Sequence, residues 1–369
     1  MRIALFGGGN IGTAMAALLS REGHEVVLIT PRAADFARAI VYTDRVNGES
    51  FSAPIFATAD YSEIARAEIA FVTVPSFALS DVVEKIAPFW KKETPLGIVP
   101  GSGGGELLLS DFLSRGFTVF GLDRVPCISR VSEYGRSVAA SKKDAVRLAA
   151  IPRAQSAALA ATVGALLNLT CTPLDNYLTV TFTPSNPILH TARLYSLYFA
   201  NEQHAYDENV LFYEAWDDAS SRLLLACDGE LQALCRKVEG LDLSGVVGLD
   251  VHYGVTDEAS MTKKLSSIPS FFGILSPMVR SGDGKFVLDT ESRYFSEDFP
   301  YGLLILVSFA HVFGLDVPEM RRVLTWFESL CGKEYLVDGK LIGRDLANLP
   351  IPQNFGLLSP EAVVEFYSR

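Results

Sequence analysis

An α/β domain followed by a mainly α-helical domain is the architecture this sequence predicts, and three observations carry that expectation. The opening stretch MRIALFGGGNIGTAMAALLSREGHEVVLIT, Met1 to Thr30, runs strand, glycine-rich turn, helix, strand. From there to about residue 175, short runs of β-branched and apolar residues alternate with helical segments. Beyond Asn176, long apolar stripes at helical spacing replace the short strands. The expected domains are therefore 1–175 and 176–369, and a chain of 369 residues is long for a single core.

Each element of the opening unit has a physical reason. Arg2 to Phe6 is a short apolar strand, Thr13 to Arg21 an Ala/Leu-rich helix and Val26 to Ile29 a second strand. Between them Gly7-x-Gly9-x-x-Gly12 has the spacing of a Rossmann dinucleotide-binding turn. Gly7 allows the sharp turn, Gly9 lets backbone approach a pyrophosphate, and Gly12 lets the helix pack on the strand, while the helix N-terminus offers N–H groups to phosphate. Gly7, Gly9, Asn10, Ile11 and Gly12 are the expected cofactor contacts here, joined by Thr30 and Arg32 after the second strand. An NAD-binding unit usually ends that strand with an acid for the ribose hydroxyls; here Thr30-Pro31-Arg32 stands instead, and a guanidinium suits a 2′-phosphate. NADP is the favoured cofactor, with NAD still open because Asp35 lies just beyond.

The remaining elements follow in order. Val46 to Ala57 is expected to hold a strand pair around Asn47-Gly48. Glu68 to Val74 reads as a buried parallel strand whose end, Val74-Pro75, faces the nicotinamide side of the crevice. Ser80 to Trp90 is a helix, Leu96 to Val99 a strand closed by the glycine-rich Pro100 to Gly105, and Phe117 to Leu122 a further strand. Ser137 to Ala140 and Ala145 to Ile151 read as strands extending the sheet, before a helix from Gln155 to Leu167 and a strand from Thr170 to Pro173. The second domain should place helices on Ile188–Ala200, Val210–Val238, Glu258–Ser266, Leu303–Phe313 and Met320–Leu330. No Pro/Gly/Ser-rich linker joins the two, so a cleft between them is expected.

Composition narrows the function. With 49% hydrophobic and 20% charged residues and a mean hydropathy of +0.23, the chain can fill a core and is not disordered. A net charge of −11 argues against a nucleic-acid partner. The odd set Cys127, Cys171, Cys227, Cys235 and Cys331 has no CxxC spacing and reads as inert thiols in a reducing compartment. The apolar run Gly302 to Leu315 is too short to span a bilayer, and Met1 leads directly into a strand, so no membrane partner and a cytoplasmic location are expected. No His/Cys/Asp cluster has metal spacing and no nucleophile motif occurs, so neither metal-assisted nor covalent catalysis is expected.

The chemistry points to the second domain. In Asn186-Pro187-Ile188-Leu189-His190, Asn186 reads as an N-cap and Pro187 as a first-turn proline, which puts His190 one turn into a helix. A histidine there has its charged form disfavoured, so work as a proton donor requires a carboxylate. Asp298, in Glu297-Asp298-Phe299-Pro300-Tyr301-Gly302, is the candidate, although its position before a capped helix makes an N-cap its plainer role. His24, His204, His252 and His311 read as structural or solvated.

Gly7 to Gly12, the Val125–Arg130 segment, Asn186-Pro187-x-x-His190, and Arg293-Tyr294 followed by Glu297-Asp298-x-Pro300-x-Gly302 together resemble the opine dehydrogenase family, the octopine and nopaline dehydrogenase type. Members of that family reductively condense an amino-acid amine with a 2-keto acid, using NAD(P)H. The resemblance implies that His190 protonates the substrate oxygen, Asp298 orients it, and Arg293 holds a carboxylate or cofactor phosphate, with Arg130 a second anion-binding candidate. The chain departs from the family pattern in lacking an acid after the second strand and in carrying Ser102 and Ser129. The implied partners are an amino acid and a 2-keto acid, and a homodimer is compatible with the reading. Two rivals stay open: a ketone reductase of the ketopantoate or glycerol-3-phosphate type, and a catalytically silent NADP-sensing protein.

Overall fold

The computed structural model describes the whole chain, Met1–Arg369, which divides into two compact units: Met1–Thr181 with Glu365–Arg369, and Phe182–Val364. The change expected near residue 175 lies six positions before this division, which falls after Thr181 (181 − 175).

The first unit opens with β1 (Arg2–Phe6), α1 (Asn10–Arg21) and β2 (Glu25–Ile29). A hairpin follows, β3 (Ala39–Asp44) and β4 (Ser50–Pro54), turning through Asn47-Gly48. Its first strand lies upstream of the stretch expected to hold the pair, and Phe56–Thr58 is a separate strand, β5, parallel to β2. Next come β6 (Ile69–Val72), α2 (Leu79–Ile86), β7 (Leu96–Ile98), the short helices α3 (Gly105–Leu108) and α4 (Ser110–Ser114), and β8 (Val119–Leu122). β9 (Cys127–Glu133), β10 (Ser137–Lys142), β11 (Ala145–Ile151), α5 (Ser156–Leu167), β12 (Thr170–Pro173) and α6 (Leu178–Thr181) complete it.

Eight strands form the main sheet in the order β12-β11-β8-β7-β6-β1-β2-β5, parallel from β8 to β5, with β11 antiparallel to β8. The strand order reverses at β1, whose neighbours are β2 and β6, so a crevice opens at the carboxyl ends of β1 and β6. The expectation that Ser137 to Ala140 extends this sheet is corrected: β10 pairs with β3 and β9 in a second sheet of order β4-β3-β10-β9. Its alternating burial, with Val138 and Ala140 inside, suits a sheet covered on one face, whereas β6 is buried at all its positions. Alternation in sequence gives the face and not the partner strand. α1 touches β2 of one sheet and all four strands of the other, which is why Gly12 through Leu19 are all buried.

The second unit is mainly helical: α7 (Asn186–Tyr198), α8 (Asp218–Lys237), α9 (Leu249–Tyr253) and α10 (Glu258–Ser266), then a hairpin of β13 (Met278–Arg280) and β14 (Phe286–Leu288). α11 (Arg293–Ser296) leads through a π-helical turn, Phe299–Leu303, into α12 (Leu304–Val312), followed by α13 (Pro318–Cys331), the small hairpin β15 (Leu336–Val337) and β16 (Lys340–Leu341), and the start of α14 (Pro360–Tyr367), whose end from Glu365 belongs to the first unit. The stripe expected to be helical from Val210 is helical only from Asp218, because the Asp217 carboxylate accepts from the Ser220 N–H and caps the helix there. Residues 210–216 are left as a loop. No helix is long and apolar enough to cross a membrane, and all five cysteines are unpaired thiols.

Candidate active site

In the first unit the candidate residues gather at the crevice end of β1. Gly7 adopts φ +110°, and a Cβ on Gly12 would sit 1.8 Å from the Gly7 carbonyl oxygen, so only glycine permits the turn and the close approach of α1. A Cβ on Gly9 would meet nothing within 4 Å. That open space lies at the start of a twelve-residue helix whose N-terminus has no side-chain cap and no acid in its first turn. Those N–H groups are free of competing side chains, which fits a diphosphate. Thr73, which the sequence reading passed over in favour of Val74 and Pro75, locks the turn from below: its hydroxyl donates to the Phe6 carbonyl at 3.0 Å. Ile11 sits in the first turn of α1, and Thr30 is buried, its N–H bonded to the Thr58 carbonyl. The Asn10 side chain is committed elsewhere, accepting from the Val131 N–H at 2.8 Å and tying β9 to the turn. Arg32 lies over the Tyr134 ring at 3.9 Å and pairs with Asp35 at 2.7 Å. Both partners are largely exposed, so that pair is weak and the guanidinium remains open to a stronger anion.

In the second unit, His190 and Asp298, 108 positions apart in sequence, meet directly: Nδ1 and Oδ2 are 2.8 Å apart, with the side chains 13% and 12% exposed. The reason is local at both ends. Pro187 starts α7 and puts His190 one turn in, although the helix begins after Ser185 and Asn186 is its first residue, not its cap. Asp298 precedes the π-helical turn but its carboxylate makes no capping bond there, so the N-cap explanation does not hold. Gly302 closes the arrangement: a Cβ there would meet Pro187 at 3.0 Å, so the glycine lets the π turn rest on the start of α7. The two motifs singled out in sequence are thus the two surfaces of one contact.

A carboxylate can only accept, so the geometry places the proton of a neutral His190 on Nδ1 and leaves Nε2 as an acceptor, which becomes a donor only when the ring is protonated. Nε2 is 3.0 Å from the Tyr213 hydroxyl. The imidazole also packs against the Tyr294 and Phe212 rings, at centroid distances of 4.8 and 5.6 Å. Tyr213 belongs to the loop that sequence periodicity took for helix. Arg193, one turn after His190 and fully buried, fastens that loop by donating to the carbonyls of Phe212 (3.1 Å) and Ala215 (2.6 Å) and to the Ser220 hydroxyl (2.9 Å). Burial lowers its pKa against the opposing pull of Asp217. Neither Tyr213 nor Arg193 was visible as functional, since each reads in sequence as one more residue of an amphipathic stripe.

The two arginines expected to hold anions sit differently. Arg293 is 67% exposed and pairs at 3.0 Å with Glu297, just past the end of its short helix. Arg130 is exposed on β9, with one guanidinium N–H on the Ser129 carbonyl. A groove of about 770 Å³ between Asp44, Lys142 and Asn168 includes none of the candidate residues.

Unit by unit, this is the build of a nicotinamide-dependent oxidoreductase. Residues 173–331 match the family described as NAD/NADP octopine/nopaline dehydrogenase, alpha-helical domain, and residues 2–104 match the N-terminus of NAD-dependent glycerol-3-phosphate dehydrogenase. Among curated relatives, y4xO of Sinorhizobium fredii, an uncharacterized protein, is 30% identical over 90% of this chain and 96% of its own. Tauropine dehydrogenase of Arabella iricolor is 29% identical over 81% of this chain and 80% of its own. Octopine dehydrogenase of Mizuhopecten yessoensis is 27% identical over 99% and 98%. A solved octopine dehydrogenase with NADH and L-arginine shares the fold, with a TM-score of 0.85 at 24% identity over 99% of this chain and 98% of that one. The chain belongs to the octopine/nopaline dehydrogenase family, the opine dehydrogenases, and is an NAD(P)-dependent oxidoreductase.

Proposed function

We propose that this enzyme reductively condenses the amino group of an amino acid with a 2-keto acid. The observation that supports this best is the His190–Asp298 hydrogen bond, set by the two motifs that resemble the family and lying within the matched helical domain. Forming the imine expels the keto oxygen as water, which needs a proton at that oxygen. His190, backed by a carboxylate that stabilises its imidazolium, is the group to hold and deliver it, a service worth roughly 10²–10⁴ in rate. When bound, the reduced nicotinamide supplies the hydride to the imine carbon. Gly7, Gly9, Ile11 and Gly12 would receive its diphosphate, and Arg32, held on the face of Tyr134, would receive a 2′-phosphate, so NADPH is the favoured donor. Arg293 would exchange Glu297 for a substrate carboxylate.

Related octopine dehydrogenase structures hold L-arginine or pyruvate, so the test is a screen of the common amino acids against pyruvate, 2-ketobutyrate and 2-ketoglutarate with NADH and NADPH. Oxidation of the nicotinamide that requires both an amino acid and a keto acid, and that His190→Asn removes, is the expected outcome. The match of residues 2–104 to glycerol-3-phosphate dehydrogenase favours a second reading, reduction of a ketone alone. Turnover that no amine changes would establish that reading instead.

A further inference from the structure

We propose that Tyr213 is a catalytic residue of this reaction, the terminal proton donor through which His190 reaches the substrate oxygen; this rests on the condensing activity proposed above. Asp298 takes the Nδ1 side of His190, so any proton that leaves the imidazole for substrate must leave from Nε2. That nitrogen already faces the Tyr213 hydroxyl at 3.0 Å. The rings of Tyr294 and Phe212 also pack against the imidazole.

Nor is the phenol placed to swing aside. Tyr213 is 6% exposed, stacked on Phe271 at 4.1 Å with its ring also parallel to Trp216. The loop on either side of it is held by the buried Arg193, which binds the carbonyls of Phe212 and Ala215. A side chain fixed by ring stacking and by its own backbone meets the substrate where it stands. A substrate oxygen that draws on this imidazole therefore does so through the hydroxyl.

The step balances as follows. The Tyr213 O–H proton passes to the hydroxyl of the carbinolamine, the C–O bond breaks with its electron pair leaving as water, and the nitrogen lone pair forms the C=N bond. The phenolate takes the Nε2 proton of the imidazolium, which returns to the neutral form with its Nδ1–H still donated to Asp298. One proton is consumed, and no oxidant or reductant is needed before hydride transfer.

Tyr213→Phe removes the hydroxyl and keeps the ring stack. The expected result, measured with the amino acid and keto acid found by the screen, is a fall in kcat of roughly 100-fold or more with KM changed by less than about threefold. Whatever residual turnover His190→Asn keeps should be almost unchanged by adding the same substitution, since the two groups act in series. Replacing Tyr213 with an ortho-fluorotyrosine, whose phenol is more acidic, should move the basic limb of the kcat–pH profile to lower pH. This variant also serves if the phenylalanine protein folds poorly, and a merely structural hydroxyl would leave the profile in place. A Tyr213→Phe enzyme with unchanged or higher kcat, or an unmoved fluorotyrosine profile, overturns the relay. If His190→Asn itself retains full activity, the condensing mechanism falls with it; if His190→Asn is inactive and Tyr213→Phe is not, only the relay falls.

Discussion

On the proposed reading, the glycine turn of the first unit and the histidine of the second solve different problems with different materials. The turn is made of backbone: carbonyls, N–H groups and missing Cβ atoms within a dozen residues of β1, braced by the side chains of Thr73 and Asn10. The histidine is made of side chains drawn from α7, the π turn and a loop fixed by Arg193. A diphosphate presents diffuse charge that many N–H groups can share, so a local turn suffices. A proton must be given to one atom, which demands a donor oriented to fractions of an ångström by its surroundings.

That contrast can be broken experimentally, most sharply at Gly12. A methyl 1.8 Å from the Gly7 carbonyl forces α1 off β1, and Gly12→Ala should cost more than about 4 kcal/mol of stability and abolish cofactor binding, read by thermal melting and NADPH fluorescence. Gly9→Ala, with open space at its Cβ, should instead leave the melting temperature nearly unchanged and weaken only the cofactor. Equal melting of the two variants would show that the turn is not the tight backbone device described. On the side-chain half, Asp298→Asn keeps shape but not charge and should lower kcat by roughly 10²–10⁴ with the fold intact by circular dichroism.

The first unit hides one side-chain device of its own, and it sharpens the comparison. Glu106, fully buried, accepts from the hydroxyls of Thr181 and Tyr367, while its second oxygen has no partner. Burial pushes its pKa up to about 7, against two hydrogen bonds that favour the charge. The folded protein therefore holds the proton more tightly than the unfolded chain, so stability falls as pH rises from the ordinary 4.5 through about 7. The loss is roughly 3 kcal/mol by pH 8, and Glu106→Gln should flatten that decline in denaturant unfolding across the same window. A wild-type curve that rises between those pH values would show Glu106 ionised in the fold. The smallest expected effect is at Arg32: Arg32→Glu should reverse the ratio of kcat/KM for NADPH over NADH, a change of about 1–3 kcal/mol, because the exposed pair with Asp35 gives way to repulsion of the 2′-phosphate. An unchanged ratio would place the cofactor choice elsewhere.

Much of the candidate site's placement was legible where it depends on residues close in sequence. Gly7, Gly9 and Gly12 follow a strand and open a helix, and backbone freedom is a property of residue type, so their place could be read directly. His190 and Asp298 were legible as residues, each beside a proline that starts a helical turn, but their meeting was not. Nothing in sequence distinguishes a carboxylate that caps its own turn from one that reaches back across 108 positions. Tyr213 was lost because the 210–238 stripe looks continuous; only the Asp217 cap, an unremarked Asp three residues before Ser220, marks where helix begins. β10 was assigned to the wrong sheet because a period of two shows which face is buried and leaves pairing undetermined.

The amino-acid sequence by itself determined the nucleotide-binding turn, the succession from α/β to helical structure, and the identity of the imidazole and carboxylate, since each follows from local conformational preference or residue chemistry. Tertiary structure alone decided that the imidazole is held between Asp298 and Tyr213, that Arg193 is spent on holding a loop, and that Arg293 lies at the surface beside Glu297. The physical reason is that hydrogen-bond partnership depends on distance in space, and chain folding brings together groups whose separation along the sequence carries no trace of it.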